Sequence, residues 1–330
     1  MSERSTVEAP EKVRDGYRAA HNDAVMVDRS NLGMLKLTGK TRLDLINRMS
    51  TQKVNTLIDG SGAATVLTTD IGRIIDRLIL YATKDAVYCL TGEDNNKAIA
   101  SYLKRYVFFM DDFTVEDLSQ DTAIIGVYGV RAGEMLSDCF SIATDLPLHH
   151  WISTSLEDLT IYLHRTDPVA GGGFFLMSQQ IDKQALWRTL AAKGIFPIDD
   201  ETFEYLRIES GLPRFGHELT PDYIPLEANL WSDVSFNKGC YTGQEIIARM
   251  ESRGRLAKRL VSLQADAAVK AGSEITASGK QAGKVTSVAH GPAGWLALGY
   301  IKTSFLPEQP DGVPEPTFQV DSTRLHLLPT

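Results

Sequence analysis

The chain has 330 residues, 43% of them apolar, which is enough side chain for two or three packed domains. Its formal net charge of −8 argues against a general nucleic-acid binder, and its three widely spaced cysteines, Cys89, Cys139 and Cys240, form no disulfide framework and fit a reducing compartment. No C-x-x-C or H-x-x-x-H pair marks a metal site, the charged N-terminus reads as neither signal nor anchor, and no apolar run spans a membrane, so a cytoplasmic protein without a membrane partner is expected.

In chain order, residues 1–10 read as a loose tail. Leu43, Ile46 and Met49 recur at helical spacing over 39–49. A hairpin follows, with Ala64–Thr68 and Arg73–Ala82 strand-like about the turn Asp70-Ile71-Gly72. Ala86–Leu90 is a third strand, and a helix over 95–107 carries Ile99, Leu103, Tyr106 and Val107. Thr122–Tyr128 reads as a strand and Arg131–Phe140 as a helix behind it. Strands Leu159–His164 and Phe174–Ser178 are joined through Gly171-Gly172-Gly173, and Leu186 and Leu190 mark a helix over 181–193. Hairpins interrupt the alternation, which favours α+β over a doubly wound parallel sheet. Beyond residue 256 the texture becomes short alternating runs, Arg259–Leu263, Gly283–Ala289, Trp295–Ile301 and Thr317–Leu325, with a proline-rich loop from Pro307 to Pro316. These runs predict a small β-barrel or sandwich. The expected domains are therefore 11–255, as two interleaved α+β subdomains, and 256–330 as the barrel.

Three stretches carry chemistry. In DDETFEYLRIESG, a helix capped by Asp200 and ended by Gly211 places Phe203, Tyr205, Leu206 and Ile208 on one arc. Glu209 falls inside that arc, while Glu204 and Arg207 point away from it. A carboxylate there needs donors. An internal salt bridge would supply them, and so would a flat heterocycle offering two parallel N–H groups, such as a pterin or guanine. In LTTDIGRIIDRLILY, Asp76 shares a strand face with Ile74, Leu78 and Leu80, on a strand buried on both faces. It is either a plain partner for Arg73 or Arg77 or a proton-handling group beside a ligand nitrogen. In NKGCYTGQEIIARMESRGRLAKR, Thr242 and Glu245 form a capping box that predicts a helix from Gly243. Cys240 then sits at the approach to a helix N-terminus with Lys238 beside it, which favours thiolate, unless it is a buried structural cysteine. Arg249, Arg253, Arg255, Lys258 and Arg259 form a basic stripe, either a solvated face or a meeting place for phosphate, a polyglutamate tail or RNA.

NKGCYTGQEIIAR resembles the K-G-C-[FY]-x-G-Q-E signature of the YgfZ family, a branch of the glycine-cleavage T-protein superfamily. LTTDIGRIIDRLILY, YLRIESGLPRFGHEL, IPLEANL and AVMVDRSNLGMLKLTG resemble further segments of that superfamily, in its order, over roughly 17–300. The resemblance implies three domains around a central folate pocket, the last a small β-barrel, with tetrahydrofolate or a derivative as cofactor. It implies Glu209 as the pterin anchor, Asp76 facing the reactive folate nitrogens, Thr91 where T-proteins have asparagine, and Cys240 as the signature thiol. Lys238 and Arg249 are read as folate-contacting cations. The YgfZ resemblance implies iron–sulfur cluster assembly or repair, with assembly proteins or cluster enzymes such as tRNA methylthiolases as partners. The alternatives are an aminomethyl- or methyltransferase of T-protein type and a folate-binding scaffold without chemistry. One departure is RTDPVAGGG at 165–173, where T-proteins carry Y-T-G-E.

Overall fold

The computed structural model describes residues 9–156, 159–254, 256–306 and 317–329. The first eight residues of the expected tail, Arg255 and the loop Pro307–Pro316 lie outside the described residues. α1 (Glu11–Asn22) leads into β1 (Val25–Asp28), β2 (Leu32–Thr38) and α2 (Arg42–Met49). β3 (Gly62–Thr68), β4 (Ile74–Ala82) and β5 (Ala86–Glu93) form a meander, followed by α3 (Asn96–Arg105) and β6 (Thr114–Asp117). Next come β7 (Thr122–Tyr128), α4 (Ala132–Phe140), β8 (Trp151–Leu156), β9 (Leu159–Val169), β10 (Gly172–Gln179), α5 (Lys183–Ala192) and β11 (Phe196–Pro197). α6 (Asp200–Glu209) and α7 (Gln244–Arg253) precede β12 (Lys258–Ala265), β13 (Glu274–Ala277), β14 (Lys280–Gly291), β15 (Gly294–Lys302), β16 (Phe318–Val320) and β17 (Thr323–Leu327).

These strands make an α+β fold of two open sheets and a closed barrel. One sheet has the order β3-β4-β5-β2-β6, the other β11-β1-β7-β10-β9-β8, and the barrel runs β12-β15-β14-β13-β16-β17. β1 and β2 are neighbours in sequence but belong to different sheets: Val25 pairs with Tyr128 and Leu35 with Cys89. The two subdomains are thus interleaved from their first strands. Closing the barrel leaves it no free edge.

The two open sheets pack face to face. Val27, Met34, Tyr81, Leu90, Phe175 and Met177 fill the layer between them. α2 and α3 cover the far side of one sheet, with Ile46, Ile99 and Leu103 on Leu78 and Leu80. α4 and α5 cover the far side of the other, with Leu136, Leu186 and Leu190 around Ile125 and Phe174. α6 is pressed between this layer and the barrel. Its Phe203 and Leu206 join the intersheet core, and its Tyr205 and Ile208 meet Leu296 and Leu298 of β15.

That double burial corrects the one-sided wheel read from the sequence. Arg207 does not point away into water; it is 1% exposed. The helix is capped by Asp199, not Asp200: Asp199 Oδ1 accepts from the Thr202 backbone N–H at 3.0 Å. All five N–H groups of Arg207 are used. Nε donates to Glu204 at 2.8 Å, Nη1 to Leu212 O at 3.1 Å and Glu218 Oε2 at 3.0 Å, and Nη2 to Glu204 Oε1 and, at 2.6 Å, to Ser287 Oγ. Glu218 is fully buried and also accepts from the Arg214 backbone N–H at 3.0 Å and from Thr286 and Ser287 of β14, each at 2.6 Å.

Removing one partner of such a pair strands a buried charge, which costs about 3–5 kcal/mol. Arg207→Met is therefore expected to lower unfolding stability by that amount in urea titration. Adding Glu218→Gln to it should restore part of the loss.

Candidate functional site

A cavity opens at one end of the intersheet layer, where β4, β5, β9 and β10 meet α6 and the segment 212–219. Asp76 from β4 and Thr91 from β5 both line it. Asp76 is fully buried. Its Oδ2 accepts from the Gly92 backbone N–H and from Asn95 Nδ2, each at 2.9 Å. Its Oδ1 is buried without a hydrogen-bond partner. Burial pushes this carboxyl up to about 6, against the hydrogen bonds of Gly92, Asn95 and the Arg77 backbone that favour its charge. A carboxyl held between its two forms near neutral pH, with one free oxygen at a cavity wall, is equipped to take or give a proton.

Neighbouring charges do not quench Asp76, because strand alternation sends Arg77 to the opposite face. Arg77 Nε donates to Asp233 at 2.6 Å and Nη1 to Asp167 at 2.7 Å. Asp167 comes from RTDPVAGGG, the stretch where the expected Y-T-G-E is missing. Burial raises its carboxyl, but Arg77 beside it holds the net value below the ordinary range. The cavity's other charged wall is a ladder. Arg29 Nη2 donates to Glu93 Oε1 at 2.7 Å, Glu93 Oε2 accepts from Arg214, and Arg214 Nη1 donates to Glu204 at 3.0 Å, which continues to Arg207. Arg29 lies over the Phe203 ring at 4.5 Å, and its Nε is buried without a partner. Tyr128, Phe175 and Phe203 add aromatic surface. Gly92 must be glycine: a Cβ there would lie 2.4 Å from the Phe215 ring and 2.9 Å from Asp76 Oδ1. The cavity holds about 110 Å³.

Comparison with known proteins agrees with this architecture. Residues 5–238 match the GCVT N-terminal domain and residues 258–319 the glycine cleavage T-protein C-terminal barrel domain. The chain belongs to the glycine cleavage T-protein family. A chloroplastic protein of Arabidopsis thaliana named a transferase, At1g60990, is 30% identical over 92% of this chain and 71% of its own length. An aminomethyltransferase of Halalkalibacterium halodurans is 26% identical over 85% of this chain and 78% of its own. The crystal structure of aminomethyltransferase T from Bartonella henselae superposes with a TM-score of 0.83 at 19% identity, covering 98% of this chain and 90% of that one. It shares the fold. Among the described residues no helix is long and apolar enough to cross a membrane.

Within this T-protein fold, the residues singled out from sequence fall into two groups. Asp76 and Thr91 line the cavity, Thr91 donating its hydroxyl to Gly92 O at 3.0 Å. The other four do not line it. Glu209 is two residues past Arg207, about 200° around the helix, and lies in a separate hollow with Asn229 and Ser262 against the barrel. Its carboxylate meets His21 Nε2 of α1 at 2.8 Å. Lys238 is not beside the Cys240 sulfur as a free cation. Its ammonium donates to Asn47 O, Ser50 O and Gln52 O at 2.7, 2.8 and 2.7 Å, and burial pushes it down to about 8. Cys240 is exposed on the loop before α7 and does not line the cavity. Arg249 is half-exposed and paired with Glu245 at 2.7 Å. That pairing, and a Gly243 N-cap without a side-chain hydrogen bond, replace the expected capping box.

Sequence reasoning missed Arg29, Glu93, Asp167 and Arg214, and it turned Glu204 and Arg207 away from the buried face. Its only available signal was an excess of charges in otherwise apolar segments.

The raised carboxyl of Asp76 has a definite sign. The folded protein holds the proton more tightly than the unfolded chain, so the ionised form costs the fold stability as pH rises through about 6. From the ordinary value of 3.8 to about 6 this is about 3 kcal/mol. Asp76→Asn keeps an acceptor for Gly92 and Asn95. It is expected to raise unfolding stability at pH 7.5 by up to about 3 kcal/mol, with the gain gone below about pH 4, in urea titrations at the two pH values.

Proposed function

We propose that the protein binds a reduced folate, with the pterin in the cavity beside Asp76, and supports one-carbon transfer of the aminomethyl type. The observation that carries this reading is the buried, unpartnered Asp76 Oδ1 at the cavity wall. A pterin presents ring N–H and amino donors that such an oxygen accepts, and Tyr128, Phe175 and Phe203 offer flat apolar contact. The same oxygen, near half-protonation at pH 6, can carry a proton to or from a folate nitrogen as the one-carbon unit moves. The family's aminomethyltransferases support this chemistry by kinship. At about 110 Å³ the cavity is narrower than usual small-molecule pockets of about 300–1,000 Å³, so a pterin enters only as the lining opens on the side away from the charged ladder.

Calorimetry with 5-formyltetrahydrofolate tests this. Binding should strengthen as pH rises through about 6, because the ionised carboxylate is the better acceptor. Asp76→Asn should weaken it about tenfold and flatten the pH profile. Glu209→Gln, on the far face of α6, should change it less than twofold. Loss of binding in Glu209→Gln with Asp76→Asn unchanged would place the pterin on the barrel side of α6 instead.

A second reading rests on Cys240. Its exposure in the KGCYTGQE loop supports a role in iron–sulfur cluster assembly or repair, with the thiol contacting assembly proteins or cluster enzymes. Cys240→Ala should leave stability within about 0.5 kcal/mol, and Cys240 should alkylate much faster than buried Cys89, whose thiol burial pushes up strongly. In a strain lacking the protein, Cys240→Ala should then fail to restore cluster-enzyme activity. Full restoration of that activity would remove the cluster role.

A further inference from the structure

The layer between the two open sheets is hollow at both ends. Following β4 from Asp76 to Tyr81 and β9 from Asp167 to His164 leads about 10–17 Å along the strands, at roughly 3.3 Å per residue, to a second cavity. It holds about 530 Å³, within the usual range for small-molecule sites. No role has been given to it so far, and it shares no lining residue with the first cavity.

Its walls combine aromatic and thioether surface with two unsatisfied polar side chains. Tyr81, Tyr88, Trp151 and Tyr162 line it together with Met34 and Met177. Tyr81 is fully buried, and its hydroxyl has no hydrogen-bond partner. His164 is 4% exposed, and neither of its ring nitrogens has one. The two rings lie against each other, with centroids 3.9 Å apart. Buried polar groups in native proteins nearly always find partners, so three orphan atoms on one cavity wall point to something that fills it. Other polar groups there are already used: Trp151 Nε1 donates to Ala82 O at 3.0 Å and Thr83 Oγ1 to Ala86 O at 3.1 Å.

The charges restrict what fits. No lysine or arginine lines the cavity, and its one carboxylate, Asp121, is exposed at the mouth. Burial pushes His164 down to about 3, so the imidazole is neutral and offers one donor and one acceptor. A charged ligand would be buried without a counter-charge, which is expensive. A phosphate or a folate glutamate tail has no cation to meet.

We propose that this second cavity binds an uncharged planar molecule with an adjacent hydrogen-bond donor and acceptor, of the aromatic amide or heteroaromatic base class, through His164 and Tyr81. The amide or ring edge pairs with the imidazole and the phenol, and the flat face lies among the tyrosines and methionines.

The test uses benzamide and the full chain, with the histidine rings isotope-labelled for NMR. Benzamide should shift the His164 ring signals in a saturable way. Tyr81→Phe, which removes one oxygen and keeps the ring, should weaken binding about fivefold, and His164→Phe about tenfold. Benzoate and benzylamine, of the same shape with a negative and a positive charge, should each bind at least about tenfold more weakly than benzamide. Absence of any His164 shift at the solubility limit of benzamide overturns the proposal. So does benzamide binding that both substitutions leave unchanged. Tighter binding of benzylamine than benzamide overturns the uncharged class.

Discussion

One buried guanidinium fixes the relation between the three parts of the molecule. Arg207 sits on α6 between the intersheet layer and the barrel, and it spends its donors on both sides. Glu204 lies on its own helix, Leu212 O on the following segment, Glu218 further along and Ser287 on the barrel. Each contact is geometrically demanding, so the barrel cannot rotate against α6 without leaving a buried donor unpaired. The ladder continues from Glu204 through Arg214 and Glu93 to Arg29, which rests on Phe203. Positive and negative groups alternate along it. Burial raises the carboxyls of Glu93 and Glu204, but the flanking arginines hold both below their ordinary values, so the ladder stays charged well into acid. One wall of the first cavity is therefore rigid by construction.

The opposite wall is built on the reverse principle. Asp76 and Arg77 are adjacent in sequence. In β4 they stand on opposite faces. Arg77 takes two carboxylates for itself, Asp167 and Asp233. Asp76 receives neutral N–H donors and no cation, and its carboxyl rises. A sequence selected for stability alone would not bury a lone carboxyl there. Such a local violation, surrounded by segments that obey their rules, is what a site for chemistry looks like.

The sequence made some of this legible and hid the rest for physical reasons. Hairpins and barrel strands showed through their alternation and their turn glycines; Thr122–Tyr128 has the observed bounds, and the third strand runs on to Glu93. The interleaving of β1 and β2 was invisible, because which sheet a short apolar strand joins is decided by distant partners. Asp76 was legible because a carboxylate in a strand apolar on both faces has nowhere wet to go. α6 misled the wheel, because it is covered from two sides past its first turn, and its Arg207 and Glu204 are satisfied by one another and by neighbouring side chains rather than by water. The capping box failed for a tertiary reason. Thr242 O accepts from Thr68 Oγ1 at 2.7 Å, its N–H reaches Arg48 O at 3.4 Å, and Gly243 adopts φ 82° where a Cβ would lie 2.6 Å from Thr69 O. The loop is held against the β3–β4 turn, so Thr242 cannot face the first turn of α7.

The same loop shows why its lysine and its cysteine have to be considered apart. An ammonium is rarely buried without a carboxylate, yet Lys238 is held by three carbonyl oxygens from the last turn of α2 and the residues just past it, and burial lowers it toward neutrality. Carbonyl dipoles at a helix C-terminus are suited to a cation, and three of them use all three of its protons. Lys238 therefore has no donor left for a folate tail or for the Cys240 sulfur. What it supplies is position: it ties the loop to α2 while Tyr241 packs with Ile224, Leu226 and Ile247 in a small core of its own. Held at two such points on either side, Gly239 and Cys240 are left in solvent. A thiol presented this way, outside the cavity that holds Asp76, is placed to meet something arriving from solution. The carboxyl in the cavity and the thiol on the loop can thus act on different molecules, and a change in one need not disable the other.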